Sequence, residues 1–553
     1  MHGLVTARFK AAQSAHRLFA ALLIAVFAVT ASALPLPTPV EAASRTYFVN
    51  CSAGSDSHTG LSQSQAWKSL DKANQAALSP GDKLLFARGC TWTGTLKAKW
   101  HGTASARITI GAYGSGGLPR FQNGPGDFSY QTYTSVDITG SYLILEYLQT
   151  DVVNPPVDPN CDNNPVGFFV GFNFRNPNNT ASGGSYNILR YAKAIHAMAG
   201  VHFNNNTQGD RVLYSTFTDN NVMNVLTPKS VKATDDIGAW GILLKGRNHE
   251  IAYNYFARNQ ARCTYDTPPQ GNAVEIYEAQ DSTIHHNTSV NDRVFSELGG
   301  SAGHRASGIT YAYNLVISDV RDARFIVPRG SGNSFGPTPN TSAYNNTVYF
   351  TGAQSQGIVC GAGCTTSILT ARNNILWAEE KSIYTDGPIV ENHNLYWNSA
   401  GAPFVQIQGF SLSSSSRLVN PRFVAAGNGN FRLQSGSPAV DAGAIVGWTI
   451  DLDKRAVPQA LMPDLGGYER GATTTTAMPS VFEEPVIADT NGLDPMDDAL
   501  PLAGDASTQP ADPEDSVPDW PPEAPMAAEE YLAEVTLPPG SYLPLIFGPP
   551  GAP

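Results

Sequence analysis

The fold class that the sequence predicts is all-β, because short runs of β-branched and aromatic residues recur between residues 44 and 471 and long helical periodicity is almost absent. Each run is followed by Asn, Asp or Gly, which favour turns. An Asn between two apolar segments also repeats, at spacings of 33, 27, 32, 28 and 20 residues, at Asn254, Asn287, Asn314, Asn346, Asn374 and Asn394. Irregular spacings of about 20 to 50 residues indicate coils with inserted loops, whereas propeller blades need about 40 or more. The prediction is a right-handed parallel β-helix solenoid over residues 44–415.

A structural role explains the repeated asparagines. Asn tolerates the left-handed backbone conformation of a tight corner, and its amide can hydrogen-bond the next Asn in a stack. We expect the stacked coils to satisfy these side chains internally rather than to present them to a sugar.

The chain begins with the three parts of a secretory signal peptide. Arg8, Lys10 and Arg17 precede the apolar run 18–29, and small residues follow at 31–33. Cleavage is expected near residue 33 or near 43, so residues 1–43 comprise the signal and a short mature lead. The apolar run is shorter than a membrane span needs. We therefore expect a secreted or cell-surface protein without a membrane span.

Residues 472–553 are predicted to form a disordered, acidic, Pro-rich tail. No Lys or Arg follows Arg470, whereas fifteen Asp and Glu do, so the net charge of −12 originates in this tail. The rest of the chain is close to neutral. It lacks the basic footprint of a nucleic-acid-binding protein and any electrostatic attraction to anionic membranes.

Six cysteines in an exported chain favour disulfides, because thiols oxidise outside the cytoplasm and no pair has the Cys-x-x-Cys spacing of a zinc site. Cys360 and Cys364 are close enough in sequence to close a local loop. The other four cysteines allow three connectivities. The pairs that we favour are Cys51 with Cys90 and Cys161 with Cys263.

Two groups of motifs flank the predicted solenoid. Segment 66–78 is the one plausible amphipathic helix near the N-terminal end, which it should close, with Asp71 and Lys72 facing solvent. Around it occur the motifs Gly54-Ser55-Asp56, Trp67 and Pro80-Gly81-Asp82. In this order they resemble the start of secreted parallel β-helix proteins of the pectate-lyase-like superfamily. Segment 416–471, with "NPRFVAAGNGNFRLQSGSPAVDAG" and "PDLGGYERG", is similar to the choice-of-anchor Q module. The resemblance implies a carbohydrate-active protein whose β-helix is closed by a small C-terminal module.

Polar side chains are predicted to line the outward face of one sheet, where successive rungs lie about 4.8 Å apart. Strand alternation turns Ile242, Val274 and Val294 inward and their neighbours outward. On successive coils the outward residues are then Lys245, Glu275, Tyr277, Glu297 and Arg324, with Phe295 as a platform for stacking a sugar ring. The catalytic candidates are Glu275, Glu297, Lys245 and Arg324, and the substrate-binding candidates are Tyr277, Phe295 and His304.

Two chemistries fit this strip. A pair of carboxylates suits glycoside hydrolysis, with a separation of about 5–5.5 Å for retention of configuration and about 6.5–9.5 Å for inversion. A Lys or Tyr base beside an Arg suits β-elimination from a uronic acid, because the base removes the proton next to the carboxylate and the cation stabilises the developing charge. Ordinary exposed side chains that pair across rungs are the third interpretation.

The histidines give weaker evidence for a functional site than the strip does. His285 and His286 are adjacent in a predicted strand, so their side chains should face opposite ways, which disfavours a shared metal ion. His304 follows the strand of Glu297 and is a candidate for proton transfer. We expect no metal and no cofactor, with calcium left open because pectate lyases use a calcium cluster.

Two functions remain open. The first is an extracellular polysaccharide-active enzyme, hydrolase or lyase, which acts as a monomer on a polysaccharide or cell-surface glycan; the cap and the polar strip favour it. The second is a non-catalytic glycan-binding or adhesin-type surface protein, which the absence of complete catalytic motifs favours.

Overall fold

The structure is a computed structural model that describes residues 44–122, 131–152, 167–177, 183–225, 236–262, 264, 269–407 and 411–471. The chain divides into the units Met1–Ser44 and Arg45–Pro553, and the second is described here. The predicted signal peptide and acidic tail lie outside the described residues.

Three long parallel sheets, here named A, B and C, form a parallel β-helix, which confirms the predicted fold class. The chain passes through A, B and C in turn, so each strand pairs with a strand one coil away. The described strands of sheet A are Thr46–Val49, Lys83–Ala87, Ile108–Tyr113, Leu143–Glu146, Ile188–Arg190, Arg211–Leu213, Glu250–Ala252, Thr283–His285, Thr310–Ala312, Thr341–Tyr344, Leu369–Arg372 and Val390–Asn392.

Sheets B and C complete each coil. The described strands of sheet B are Thr91–Thr93, Arg120–Gln122, Gln149–Asp151, Lys193–Ile195, Thr216–Thr218, Tyr255–Ala257, Thr288–Val290, Leu315–Ser318, Thr347–Phe350, Ile375–Trp377, Leu395–Trp397 and Arg417–Leu418. Those of sheet C are Leu96–Ala98, Gln131–Ile138, Gly167–Phe174, Ala199–Phe203, Trp240–Leu244, Asn272–Tyr277, Val294–Gly299, Arg324–Val327, Gln356–Cys360, Lys381–Thr385 and Val405–Ile407. An antiparallel hairpin, Met223–Val225 with Asp236–Gly238, is inserted before one strand of sheet C.

Matched registers stack like side chains along the core. In sheet A, Leu145, Leu189 and Val212 are successive partners, and all three are fully buried. Burial of each such side chain contributes about 1.5–3 kcal/mol. The apolar columns, rather than local propensity, therefore set the register of these three-residue strands.

The predicted asparagine stack is present, with each side chain at most 2 % exposed. Asn287 donates to the side-chain oxygen of Asn314 at 3.0 Å, and Asn314 donates to that of Asn346 at 2.9 Å. We predicted that the Asn would be the left-handed residue at this corner, and this is wrong. The left-handed residue is the one before the Asn, such as Tyr253 at φ 58° and Tyr313 at φ 51°. The corner turns at that residue, which leaves the Asn side chain directed into the stack.

The left-handed corner also corrects the expectation for the paired histidines. His286 has φ 53° and follows the last residue of its strand, His285. Strand alternation therefore stops between them, and their Nδ1 atoms lie 2.7 Å apart instead of on opposite faces.

Alternation fails at a second place, inside sheet C. Ala273 and Val274 both belong to the apolar core, as do Phe325 and Ile326. The pairing registers skip the first residue of each such pair. Two consecutive inward side chains mark a bend in each strand, and the outward positions after the bend are shifted by one residue.

The N-terminal cap is shorter than predicted. An α-helix covers Leu70–Asn74 and a 3-10 helix covers Gln63–Gln65. Trp67 is held in a β-bridge with Val49 and therefore cannot join the helix. Leu70 and Ala73 are buried in the core cluster, so the short helix covers its apolar end as expected.

The C-terminal segment 416–471 lies along the side of the β-helix and not only at its end, contrary to our expectation. Its antiparallel strands are Phe423–Ala425 and Asn430–Leu433, joined by the 3-10 helix Ala426–Asn428. Phe431 and Leu465 pack on the outward side chains of Leu315 and Ile375 in sheet B. The segment therefore covers the outer face of sheet B over the strands Leu315–Ser318, Thr347–Phe350, Ile375–Trp377 and Leu395–Trp397.

Two of the predicted disulfides are present, Cys51 with Cys90 and Cys360 with Cys364. Cys161 and Cys263 lie outside the described residues. Within the described ranges, no helix has the length and apolar character needed to cross a bilayer.

Candidate active site

Glu275 and Glu297 are direct neighbours on the outer face of sheet C. Their Cα atoms are register partners in adjacent parallel strands, Asn272–Tyr277 and Val294–Gly299. Adjacent strands lie about 4.8 Å apart, so the two side chains leave the sheet on consecutive rungs. The predicted placement of these two residues on one face is therefore confirmed.

Glu297 forms an ion pair that is shielded from water. Arg329 Nη2 donates to Glu297 Oε2 at 2.8 Å, and both side chains are nearly buried. Arg329 also donates to the carbonyl of Leu298 and lies over the ring of Phe335, with 5.9 Å between the guanidinium carbon and the ring centroid. These contacts hold Glu297 as an oriented carboxylate, because charge-assisted hydrogen bonds constrain both partners.

The surroundings of Glu275, unlike those of Glu297, disfavour a negative charge. Asn272 Nδ2 donates to Glu275 Oε2. Burial raises the pKa of the Glu275 carboxyl well above its ordinary value, and the charge of Glu297 raises it further, whereas Arg329 and Asn272 lower it. The adjacent rungs thus carry one carboxyl that favours its protonated form and one carboxylate in an ion pair. Such a division between acid and anion is a feature of glycosidase sites.

The two acids open into a crevice of about 390 Å³, part of which is open to solvent. Its wall includes Trp240, Gln270, Asn272 and Arg293. Trp240 is half-buried, so part of its ring remains accessible to a sugar.

Lys245 and Tyr277 lie on the same outward face, as predicted. Lys245 follows the strand Trp240–Leu244, and its Nζ is 5.1 Å from the centroid of the Tyr277 ring. This cation–π contact holds the two side chains together, and Tyr277 is two residues after Glu275 in the same strand. Their predicted roles in catalysis and in substrate binding stay predictions.

Three other predicted site residues lie elsewhere. Phe295 is 1 % exposed and stacks on Phe325 in the core, with ring centroids 5.6 Å apart, so its predicted exposure is wrong; the bend in sheet C turns it inward. Arg324 is on the other side of that bend from Glu297, and its Nη2 donates to Asp322 at 3.0 Å. His304 is exposed in a turn that begins at Ser301.

Arg329 occupies the position that we expected for Arg324. Arg329 follows the strand Arg324–Val327. After the bend, Val327 is the register partner of the outward Glu297, so Arg329, two residues later, also faces outward. Asn272 and Trp240 were missed for the same reason, because they precede the bend in their strands. Arg293 was missed because it is just before the strand Val294–Gly299.

The polar face continues towards the N-terminal coils. One column of register partners runs along sheet C to Glu275. Its members on the preceding coils are, in order, Asp137, Asn173, His202 and Leu243. Asp137 pairs with Arg175, and His202 Nδ1 lies 3.1 Å from Asn173 Oδ1. Burial lowers the pKa of His202 to about 3, as does the charge of Lys245, so this histidine is neutral near pH 7. The part of the chain that the structure describes contains no group of three His, Cys, Asp or Glu that could hold a metal ion.

Comparisons with known proteins give partial likenesses. No family model matches the chain. It is 38 % identical over 98 residues to lacto-N-biosidase of Bifidobacterium longum subsp. longum, a match that spans 17 % of this chain and 6 % of that protein. The GH136 lacto-N-biosidase from Eubacterium ramulus has a TM-score of 0.46 at 14 % identity, over 68 % of this chain and 67 % of that one. Pectate lyase Pel9A has a TM-score of 0.43 at 15 % identity, over 77 % and 96 %. The sheets themselves therefore define the fold of this chain.

Proposed function

We propose that the chain is an extracellular glycoside hydrolase that cleaves a polysaccharide or cell-surface glycan with retention of configuration. The observation that carries the proposal is the pair Glu275 and Glu297, on adjacent rungs and in different protonation environments. A rung spacing of about 4.8 Å matches the separation of about 5–5.5 Å for retaining enzymes better than that of about 6.5–9.5 Å for inverting ones. The curated relative named lacto-N-biosidase and the disulfides support a secreted hydrolase.

In the proposed first step, a Glu297 oxygen attacks the anomeric carbon while Glu275 gives its proton to the leaving glycosidic oxygen. The glycosidic bond breaks, the aglycone leaves as an alcohol, and a glycosyl ester forms on Glu297. Arg329 orients Glu297 through their 2.8 Å contact and is a positioning residue.

In the second step, the Glu275 carboxylate takes a proton from water, and the resulting oxygen attacks the anomeric carbon. The sugar is released, and both acids return to their starting states. The raised pKa of Glu275 suits this cycle, because the group must begin as an acid near neutral pH.

Elimination is less favoured by the contacts at the site. Its cation must face a uronate carboxylate, whereas Arg329 already pairs with Glu297. Lys245, the candidate base, lies over Tyr277.

The test is a polysaccharide and oligosaccharide panel assayed for new reducing ends, with NMR of the first-formed anomer. We expect reducing ends, a retained anomer and no ultraviolet absorbance from an unsaturated uronic acid. Glu297→Gln should lower kcat by roughly 10³-fold or more on all substrates. Glu275→Gln should lower kcat/KM by roughly 10²- to 10⁴-fold on natural linkages and far less on a nitrophenyl glycoside, whose leaving group needs no proton in the first step.

Glu380→Gln is the matched control, because Glu380 is half-buried, does not line the crevice, and has Lys381 and Gln356 as its side-chain partners among the described residues. It should retain full activity. Unsaturated products would replace the proposal with a lyase. Binding without any cleavage would replace it with a glycan-binding surface protein.

A further inference from the structure

The loop 445–457 of the C-terminal segment covers two adjacent histidines of the β-helix. His285 and His286 are each 4 % exposed. The Trp448 ring lies against both, with its centroid 5.1 Å from that of His285 and 5.9 Å from that of His286. The carbonyl oxygen of Ile450 lies 3.2 Å from His286 Nε2. The histidine pair is therefore part of the contact between the segment and the β-helix.

Three hydrogen bonds pass through the pair in series. Glu250 Oε1 lies 3.1 Å from His285 Nε2, the two Nδ1 atoms lie 2.7 Å apart, and His286 Nε2 faces the Ile450 carbonyl. A carboxylate and a carbonyl only accept, so both Nε2 atoms must carry a proton. The contact between the two Nδ1 atoms needs one proton more. The series therefore needs three protons, whereas two neutral imidazoles supply two.

The docked pair thus carries one positive charge, and its surroundings favour that charge on His285. Burial raises the pKa of Glu250, but the hydrogen bond from His285 and the charge of Arg211 outweigh burial and lower it to about 2, so Glu250 is an anion. Burial lowers the pKa of His286 to about 3, as does the charge of His285. His286 is therefore the neutral member of the pair.

Charged and titratable groups face the pair, or the tyrosines on either side of His286, from both sides of the interface. From the β-helix they are Arg211, Glu250, Tyr253 and Tyr313, and from the segment they are Asp451, Lys454, Asp464 and Glu469. Burial raises the pKa of Asp451 to about 6 and that of Glu469 to about 7. Ionisation of these two acids also loosens the segment as the pH rises, so their effect must be separated from that of the histidines.

Undocking of the segment removes the need for the third proton. When the Ile450 carbonyl leaves, His286 Nε2 faces water and can accept a hydrogen bond instead of donating one. A neutral pair then satisfies both Glu250 and the contact between the two Nδ1 atoms. In the docked state, by contrast, a neutral pair leaves one of the three hydrogen bonds unmade.

We infer that His285 and His286 form a pH-dependent latch, which takes up one proton as segment 416–471 docks on the β-helix. Docking is then tightest below about pH 6 and weakens as the pH rises through the range in which histidines titrate. The sign follows from linkage, because the docked state holds more protons than the undocked state. The latch lies at the corner between sheets A and B, and the inference does not depend on the proposed function.

The experiment is hydrogen exchange of the full chain, read by mass spectrometry near pH 5.5 and near pH 8.5, on either side of histidine titration. The protection factor, which is the intrinsic exchange rate divided by the observed rate, removes the pH dependence of the exchange chemistry itself. The reporter amides are those of Leu452 and Val457, which donate to the carbonyls of Gly467 and Thr449. We expect their protection factors to fall by at least roughly 10-fold from the lower to the higher pH, as loss of one hydrogen bond implies.

His286→Phe separates the histidines from the carboxyl groups of the segment. It keeps an aromatic ring between Tyr253 and Tyr313 but removes the donor to Ile450. We expect it to lower the protection factors near pH 5.5 by roughly 10-fold. The pH dependence that remains should be that of the carboxyl groups alone.

Glu250→Gln is the sharper variant, because it should protect the segment at alkaline pH. Its amide keeps an oxygen for Arg211 and offers a donor to His285 Nε2, so a neutral pair can make all three hydrogen bonds. We expect protection factors near pH 8.5 that are roughly 10-fold above those of the unmodified chain. This expectation concerns opening of the segment and not global unfolding.

His196→Phe is the control, because His196 is exposed and pairs with Asp151 at the corner between sheets B and C. It should leave the protection factors unchanged. The same pH dependence in the unmodified chain and in His286→Phe would assign the effect to the carboxyl groups and overturn the inference. Protection near pH 8.5 that is no higher in Glu250→Gln than in the unmodified chain would overturn it as well, and this result decides the matter if His286→Phe does not fold.

Discussion

The asparagine stack and the carboxyl pair are both columns of polar side chains on consecutive rungs, yet their energetics are opposite. In the stack, Asn314 receives from Asn287 and donates to Asn346 and to the carbonyl of Ile284, all at 2.9–3.1 Å. In the pair, Glu275 lies beside Glu297 and its pKa is raised by burial and by its neighbour's charge. An amide is both donor and acceptor and can satisfy a repeat, whereas two carboxylates cannot.

The difference separates a stabilising feature from the one to which we assign the proposed reaction. A column that hydrogen-bonds itself needs no ligand and strengthens the solenoid, whereas a column that repels itself lowers stability and persists where it serves a reaction. A shorter column, in which Asn220 donates to Asn259 and Asn259 to Asp292, lies between these extremes. Three substitutions test this comparison.

Asn314→Ala should have the largest effect. It removes the acceptor of the buried Asn287 backbone N–H and side-chain amide and the side-chain donor to the carbonyl of Ile284, so we expect the free energy of unfolding to fall by about 3 kcal/mol. The measurement is the urea midpoint with an unchanged slope. Asn205→Ala, at an exposed turn, is the control and should change stability by less than about 0.5 kcal/mol. An equal, small change in both would remove the stack as a source of stability.

Asp292→Asn should stabilise the protein, depending on pH. Burial raises the pKa of Asp292 from 3.8 to about 7 despite hydrogen bonds from Ser289 and Asn259. Below about pH 4 the carboxyl is protonated in both the folded and unfolded states, so the acid then costs nothing. As pH rises to 7 only the unfolded state ionises freely, and folding loses stability.

The Asn variant avoids this loss, so we expect a gain of about 2 kcal/mol above pH 7 and none near pH 4. Thermal unfolding across that range measures it. A gain that is independent of pH would assign the effect to packing instead.

Glu275→Gln should have the smallest effect on stability, a gain of about 1 kcal/mol at pH 8 that disappears in acid. The sign follows from the raised pKa of Glu275, since the folded state resists its ionisation. Glu250→Gln is the opposite control. Burial raises its pKa, but hydrogen bonds from His285 and Arg211 outweigh this and lower it to about 2, so this variant should lose stability above pH 4.5. Loss of stability in both variants would contradict our interpretation that the ionised form of Glu275 destabilises the folded state.

Much of the fold was predictable because it follows from local chemistry repeated along the chain. The Asn spacings, the turn residues and the apolar runs indicate coils whatever their loops contain, and the coils then stack Asn287 on Asn314. The outward positions of Glu275 and Glu297 were predictable because, after the bend in sheet C, the side chains of both strands alternate regularly between inward and outward. Sequence therefore determined the solenoid, its internal asparagine column and one pair of candidate acids.

Tertiary structure decided those features of the protein that the alternation of side chains along a strand cannot predict. The bend in sheet C places Phe295 in the core and Arg329 on Glu297, because two consecutive side chains turn inward there. It also decided that segment 416–471 covers the C-terminal coils of sheet B, since the apolar outer side chains of those coils provide the surface on which Phe431 and Leu465 pack. The period of a strand is a property of its sequence, whereas a bend, a covering segment and the shifted pKa of a buried acid arise from contacts between residues far apart in the chain.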